Sequence, residues 1–225
     1  MHNIRAVVFD LDDTLYPERQ FVQSGFHAVS AHLRVRATIK DDIYPLLWEK
    51  FRGGVRGTVF NEVLGELGIA ADDALIRELV DVYRGHAPVI SLYPDAPGAL
   101  AFCSRRCKTG LLSDGPALMQ RNKIIALSIR SFFNAVMLTD VLGREFWKPH
   151  AAGYENIRAA LGVPADMCLY VGDNPAKDFL GARRLGWKTV QVKRPDGIYA
   201  DAVVPAENMA DRCIASLEEL REMLV

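Results

Sequence analysis

The run Ile4-Arg5-Ala6-Val7-Val8 restricts the fold of this chain more than any other. A short, apolar, β-rich segment without amphipathic alternation reads as a strand covered on both faces, and such strands belong to parallel sheets flanked by helices. It leads directly into Phe9-Asp10-Leu11-Asp12-Asp13-Thr14-Leu15. A buried strand gains nothing from charge, so three carboxylates at its carboxyl end mark the edge where open α/β sheets hold ligands. Asp10 and Asp12 stand two residues apart in near-extended chain, so both side chains can face one side of the turn. Carboxylates that close repel unless one is protonated or both share a cation, and all-oxygen ligation suits a hard ion such as Mg²⁺. A carboxylate there can also attack phosphorus while its neighbour moves a proton. The competing reading makes Asp12 and Asp13 a loop start and a helix cap.

After Pro17 no second β-rich run appears until well past His86. Apolar residues recur at helical spacing over residues 20–35 (Phe21, Val22, Phe26, Val29, Leu33), and helices are also predicted over 41–51, 59–67 and 72–84, punctuated by glycines. A segment this long is not a simple crossover, so residues 16–90 are expected to form a small helical cap inserted into a core of residues 1–15 and 91–225. Beyond residue 95 helix and strand alternate: helices over 96–106, 116–127, 151–161 and 175–185, strands over 109–112, 135–138, 168–171 and 188–192, and a closing helix over 216–224 with Ser216 and Glu219 as a capping box. That alternation predicts an α/β fold, a Rossmann-like, doubly wound, mostly parallel sheet.

Composition narrows the partners. The net charge of −1 over 225 residues offers no basic stripe for nucleic acid, so a small-molecule partner is expected. No stretch approaches the roughly 18 apolar residues of a membrane span, and the start lacks the regions of a secretory leader. A cytoplasmic protein without nucleic-acid or membrane partners is expected, its oligomeric state left open. Cys103, Cys107, Cys168 and Cys213 form no CxxC pair and read as reduced thiols, while His27 and His32 read as structural.

Three more strand ends carry chemistry. Ser113-Asp114-Gly115-Pro116 offers a hydroxyl and the amides of a helix start, where anions bind, although Ser113 or Asp114 could equally be a cap. Lys148, between Trp147 and Pro149, could meet a phosphate as a point charge. Gly172-Asp173-Asn174 ends a hydrophobic strand, with Asp173 a candidate metal carboxylate and Asp178 one that could pair with Lys148 or a metal-bound water. Locally, Asp173 or Asn174 is also a plausible cap and Asp178 a favourable first-turn charge.

The order Asp10-x-Asp12, Ser113, Lys148, Gly172-Asp173-x4-Asp178 resembles the haloacid dehalogenase-like hydrolase superfamily, and the insertion after the first motif is similar to its helically capped subgroup. The resemblance implies Asp10 as nucleophile and Asp12 as general acid/base. It implies Mg²⁺ held by Asp10, the main-chain carbonyl of Asp12, and Asp173, with Ser113, Asp114 and Lys148 toward the phosphoryl group. Asp178 and Asn174 would be supporting residues, and Thr14 would brace the turn beside the substrate. Dehalogenating members lack the second Asp, so Asp12 favours phosphate esters. The expected activity is a Mg²⁺-dependent phosphatase of a small phosphorylated metabolite, working through an aspartyl phosphate, with a sugar-phosphate phosphomutase as the alternative and a silent phosphate-binding module as a third reading. Trp48, Arg52 and Arg56 are candidates to read the leaving group.

Overall fold

Strand β1, Ala6–Phe9, has no solvent-exposed residue. A computed structural model describes residues 3–36, 39–200 and 202–224 of the chain. Four helices follow the strand: α1 (Glu18–Val35), α2 (Tyr44–Arg52), α3 (Val59–Glu66) and α4 (Asp73–Gly85). The alternating part then runs α5 (Ala96–Arg106), β2 (Lys108–Ser113), α6 (Ala117–Ala126), β3 (Ala135–Leu138), α7 (Ala151–Leu161) and β4 (Cys168–Gly172). It ends with α8 (Leu180–Arg184), β5 (Lys188–Val192), β6 (Arg212–Ile214) and α9 (Leu220–Met223). The chain forms two compact units, Met1–Arg19 with Ile90–Val225, and Gln20–Val89.

The first unit is a Rossmann-like α/β layer. All six strands pair in parallel in the order β3-β2-β1-β4-β5-β6. Because side chains alternate along a strand, Ala6 and Val8 join Tyr154, Ile157, Tyr170, Phe179 and Trp187 in a core beneath α7 and α8, while Val7 and Phe9 face away from it. Phe9 meets Phe133 at 6.4 Å between ring centroids on that other side, where α5 packs on β2 and α9. The strand order reverses direction between β1 and β4, the position at which parallel sheets open a crevice beyond their carboxyl ends.

In the helical unit the predicted stripe Phe21, Val22, Phe26, Val29 and Leu33 of α1 is buried, and Phe26 lies edge-on to Phe51 at 6.1 Å. Gly25 permits close approach to α4, since a Cβ there would lie 2.5 Å from the Tyr83 ring. Asp72 caps α4 by accepting the Leu75 N–H at 2.7 Å.

Three segments depart from the sequence expectation. The helix predicted over 175–185 begins only at Leu180, because Asn174 donates its N–H to Asp178 Oδ2 and its carbonyl accepts from both Lys177 and Asp178, closing a loop first. The Ser216–Glu219 capping box is present, but it starts a single tight turn, Leu217–Glu219, ahead of the four-residue α9. Strand β6 has no apolar run to announce it, being a three-residue edge strand with Arg212 and Cys213 exposed. All four cysteines are free thiols, and among the described residues no helix is long and apolar enough to cross a membrane.

Candidate active site

Register brings the two acidic motifs together. Phe9 pairs with Val171, and the Asp10 N–H donates to the Val171 carbonyl at 2.8 Å, so Asp10 and Asp173 leave adjacent strands side by side. Thr14 Oγ1 reaches both, at 3.3 Å from Asp10 Oδ2 and 3.4 Å from Asp173 Oδ1. Asp10, Asp173 and Asp178 are buried, with one oxygen of each within 4.8 Å of the others.

Lys148 is the cation inside this cluster. Its side chain is 0 % exposed, and its ammonium donates to Asp10 Oδ1, to Asp178 Oδ1 at 2.7 Å and to the Tyr170 hydroxyl at 2.9 Å. An ammonium has three protons, so all of them are committed. Asp178 is equally committed, Oδ1 to Lys148 and Oδ2 to the Asn174 N–H at 3.0 Å. Gly172 makes this possible, because a Cβ there would lie 2.4 Å from Asp178 Oδ2.

Burial raises the Asp10 carboxyl to about 6; Lys148 opposes the rise and Asp178 adds to it. Burial, followed by repulsion from Asp178 and Asp10, pushes Asp173 well above the usual carboxylate range. Clustered oxygen donors whose ionised forms are held at a cost fit a hard divalent cation, since the ion would relieve both burial and repulsion. Asp10, Asp173 and Asp178 are the carboxylates grouped closely enough to hold such an ion.

The structure takes Asp12 elsewhere. Its carboxylate accepts from Lys123 at 2.6 Å, from Gln120 at 3.0 Å and from the Tyr16 hydroxyl, outside the Asp10 cluster. Burial alone would raise its pKa; Lys123, with the hydrogen bonds from Lys123, Tyr16 and Gln120, more than reverses this and leaves it below the ordinary value. Of the two ways considered for close carboxylates to avoid repulsion, protonation or a cation, Asp12 shows the second, with the Lys123 ammonium at its side. Asp13 takes the structural role considered for both acids, accepting N–H groups of Glu18 at 2.8 Å and Ile198 at 2.7 Å.

The remaining candidates divide. A cavity of about 350 Å³ is lined by Asp12, Asp114, Lys148 and Asp173, together with Glu18, Gln120, Lys123, Trp147, Lys177 and others. Asp114 holds the loops of this cavity, accepting from Thr139 Oγ1 at 2.6 Å and the Lys148 N–H at 3.2 Å. Asp10, Ser113, Thr14, Asn174 and Asp178 are buried and do not line it. The Ser113 hydroxyl turns to the Asp114 carbonyl at 3.5 Å, and Asn174 Oδ1 accepts the Ala176 N–H at 3.0 Å. In the helical unit Arg56 spends its guanidinium on the Phe51 and Val55 carbonyls, and Trp48 stacks on Phe51.

Sequence reading missed Tyr16, Glu18, Gln120, Lys123, Tyr170 and Lys177. Gln120 and Lys123 were within reach of it, since a three-residue spacing sets them on one helix face. A tyrosine in the middle of an otherwise apolar strand, Tyr170, likewise needs a polar partner.

The family model described as haloacid dehalogenase-like hydrolase matches residues 4–186. The chain is 34% identical to a phosphoserine phosphatase of Thermus thermophilus, over 85% of this chain and 89% of that protein. It is 31% identical to a glyceraldehyde 3-phosphate phosphatase of Methanopyrus kandleri, over 88% of this chain and 87% of the other. Among solved structures, a 2-haloacid dehalogenase from Pseudomonas syringae pv. tomato superposes with a TM-score of 0.69 at 22% identity, covering 98% of each chain, which is likeness of fold.

Proposed function

Since the chain belongs to the haloacid dehalogenase-like hydrolases, we propose that it is a divalent-metal-dependent phosphatase of small phosphorylated metabolites, with Asp10 as nucleophile. The observation that carries this reading is the buried Asp10 carboxylate, paired with Lys148 and grouped with Asp173, beside a polar cavity that also receives Asp12. The names of the phosphatase relatives agree with it.

In this reading Asp10 attacks phosphorus, the ester oxygen leaves, and an aspartyl phosphate forms. Asp12 in its acid form gives the leaving oxygen a proton, and as carboxylate it then takes one from the water that hydrolyses the acyl phosphate. Because Lys123 holds the resting carboxylate ionised, the acid form requires Asp12 to loosen that contact. Mg²⁺ would be held by Asp10, Asp173 and the main-chain carbonyl of Asp12, and when bound it would offset the charge that develops on the phosphoryl oxygens. Lys148 fixes the orientation of Asp10, Asp178 anchors Lys148, and Thr14 braces Asp10 against Asp173. The Gln20–Val89 unit is assigned the role of a cap that selects the leaving group, and the free thiols agree with a cytoplasmic enzyme.

The test is release of inorganic phosphate from a panel of sugar phosphates, nucleoside monophosphates and phosphorylated hydroxy and amino acids, with Mg²⁺ and after EDTA. Metal-dependent release from at least one ester is expected. Isomerised sugar phosphate without free phosphate would mean a mutase, halide release from a 2-haloacid would mean a dehalogenase, and no turnover of any kind would leave a binding module.

A further inference from the structure

We propose that Gln120 is a positioning residue of the reaction, the side chain that holds Asp12 where its carboxyl can serve the leaving oxygen. The inference rests on the phosphatase reading above, in which Asp12 is the acid and base, and adds a residue to it.

Asp12 needs a partner of this kind. In that reading the divalent ion takes its main-chain carbonyl, which fixes the backbone and leaves the direction of the side chain to other groups. Those groups come from Tyr16 and from α6. The buried residues of α6 are Gln120, Lys123 and Ile124, so the helix turns two polar side chains and one apolar one inward. Lys123 and the Tyr16 hydroxyl both donate to Oδ1, while Gln120 Nε2 donates to Oδ2 at 3.0 Å.

Gln120 is 1% exposed, and its amide is used on one side only. Nε2 donates to Asp12 Oδ2 and to the Asp114 carbonyl, two oxygens that can only accept, so the orientation of the amide is fixed. Oε1 has no partner among the described residues. A buried acceptor left unpaired costs stability, and packing alone would favour an apolar side chain here. What the residue contributes is the pair of donated bonds. They tie Asp12 to the loop after β2, and Asp114 Oδ1 in that loop accepts the Lys148 N–H at 3.2 Å. Asp12 is thereby set against the same frame that carries Lys148 and, through its ammonium, Asp10. Gly115 leaves room for this, since a Cβ there would lie 2.8 Å from Gln120 Nε2.

The two oxygens of Asp12 then have different duties. Oδ1 holds the charged contact to Lys123, which the acid form gives up. An amide N–H can serve a carboxylate or the carbonyl oxygen of a carboxylic acid, so the bond to Oδ2 survives that change and keeps the side chain in place while Oδ1 carries the proton. In the transfer step Asp10 bonds to phosphorus, the P–O bond to the leaving group breaks, and the Oδ1 proton passes to the departing oxygen.

Gln120→Met matches the length of glutamine and leaves every charge in place, and Gln120→Asn keeps an amide one methylene too short for both bonds. Each is compared with the wild-type chain, with Mg²⁺, on an alkyl ester that the wild type hydrolyses and on p-nitrophenyl phosphate, whose leaving group departs without a proton. The ratio kcat/KM ends at departure of the leaving group, so later hydrolysis of the aspartyl phosphate does not enter it. A misplaced acid predicts that kcat/KM falls about thirtyfold for the alkyl ester and no more than about threefold for p-nitrophenyl phosphate. Both esters are assayed on one preparation, so a partly unfolded variant loses both rates equally and the split between them is unaffected. Equal losses on the two esters, or an alkyl rate within about twofold of wild type, overturn the assignment. If the wild type releases phosphate from no ester, the phosphatase reading falls and the assignment falls with it.

Discussion

Gly172→Ala isolates the packing on which the acid cluster depends. The added Cβ would lie 2.4 Å from Asp178 Oδ2 and 2.8 Å from its Cγ, so the carboxylate must withdraw by about 1 Å to reach ordinary contact. It has nowhere free to go, being 0 % exposed, with Oδ2 on the Asn174 N–H at 3.0 Å and Oδ1 on Lys148 at 2.7 Å. The displacement therefore strains or breaks a hydrogen bond to a charged group, worth about 1.5–3 kcal/mol, and overpacking of this kind costs about 1–3 kcal/mol. Both figures describe one event, so the expected loss is about 2–3 kcal/mol, or about 4–12 °C in Tm for a chain of this size. Thermal and urea unfolding of Gly172→Ala, Asp178→Ala and the double variant would measure it. With the Asp178 oxygens removed, the nearest of those contacts left to alanine at 172 is the Asp178 Cβ at 3.1 Å, so the substitution should cost no more than about 1 kcal/mol, giving a coupling of at least about 1–2 kcal/mol. Additive costs, or a Gly172→Ala protein within about 0.5 kcal/mol of wild type, would refute the argument that glycine is there to admit Asp178.

Asp10→Asn keeps the shape and removes a carboxyl whose ionised form burial disfavours, so phosphate release should vanish while the unfolding midpoint at pH 8 stays level or rises; appreciable residual turnover would count against a nucleophilic Asp10. Lys123→Met leaves Asp12 its Tyr16 and Gln120 donors but strips its counter-charge, which should cost about 3 kcal/mol by urea unfolding and lower kcat more than it changes KM; a neutral effect on both would show the pair to be incidental. Arg194 grips Asp95 with two bonds, at 2.8 and 3.0 Å, and also donates to the Thr14 carbonyl at 2.9 Å. Burial raises the Asp95 pKa, but Arg194 and the Leu217 and Ser216 donors outweigh this and leave it lowered. A depressed carboxyl contributes stability above its unfolded pKa and loses it as pH falls through the folded one, so Arg194→Met should cost about 2–3 kcal/mol at pH 7, with the gap to wild type narrowing below about pH 4. A gap that does not change with pH would remove the ion pair from the explanation.

The sheet was legible because several of its strands are short apolar runs, as in Ala6–Phe9 and Ala135–Leu138, and because helical segments alternate with them. Strand β6 was not legible, since a three-residue edge strand with two exposed side chains leaves no period to detect. The late start of α8 was hidden for another reason: Asn174, Pro175 and Asp178 are good helix-start residues, and the loop closes instead on the Asn174–Asp178 bonds while Lys148 holds the other Asp178 oxygen. At the site, the approach of Asp10 and Asp173 could be read from strand ends, because parallel topology puts those ends on one edge, while Lys148 and Asp178, farther along their loops, came with the family resemblance. The direction in which Asp12 points could not be read from either. It depends on Lys123 and Gln120 of α6, whose packing beside β1 is decided by the fold and not by any neighbour in sequence.

Where the chain departs from ordinary core construction, the departures collect in one place. Several other buried polar side chains have a local structural reason: Ser30 links Asp42 to the Ile43 N–H, Thr109 bonds the Phe132 carbonyl, Thr189 exchanges bonds with Asp211, and Gln191 ties down the Asp173 carbonyl. Asp10 and Asp173 have no such reason, and although Asp178 holds the Asn174 N–H, three buried carboxylates with one buried lysine among them lower stability relative to an apolar filling of the same volume. A cost of that kind persists when the arrangement performs work that packing cannot. The work must use negative oxygens close together, tolerate only one fixed cation, and open onto a cavity with a further lysine at its edge. Nucleophilic attack on an electron-poor centre that carries its own negative oxygens, the reaction proposed above, would use all three features.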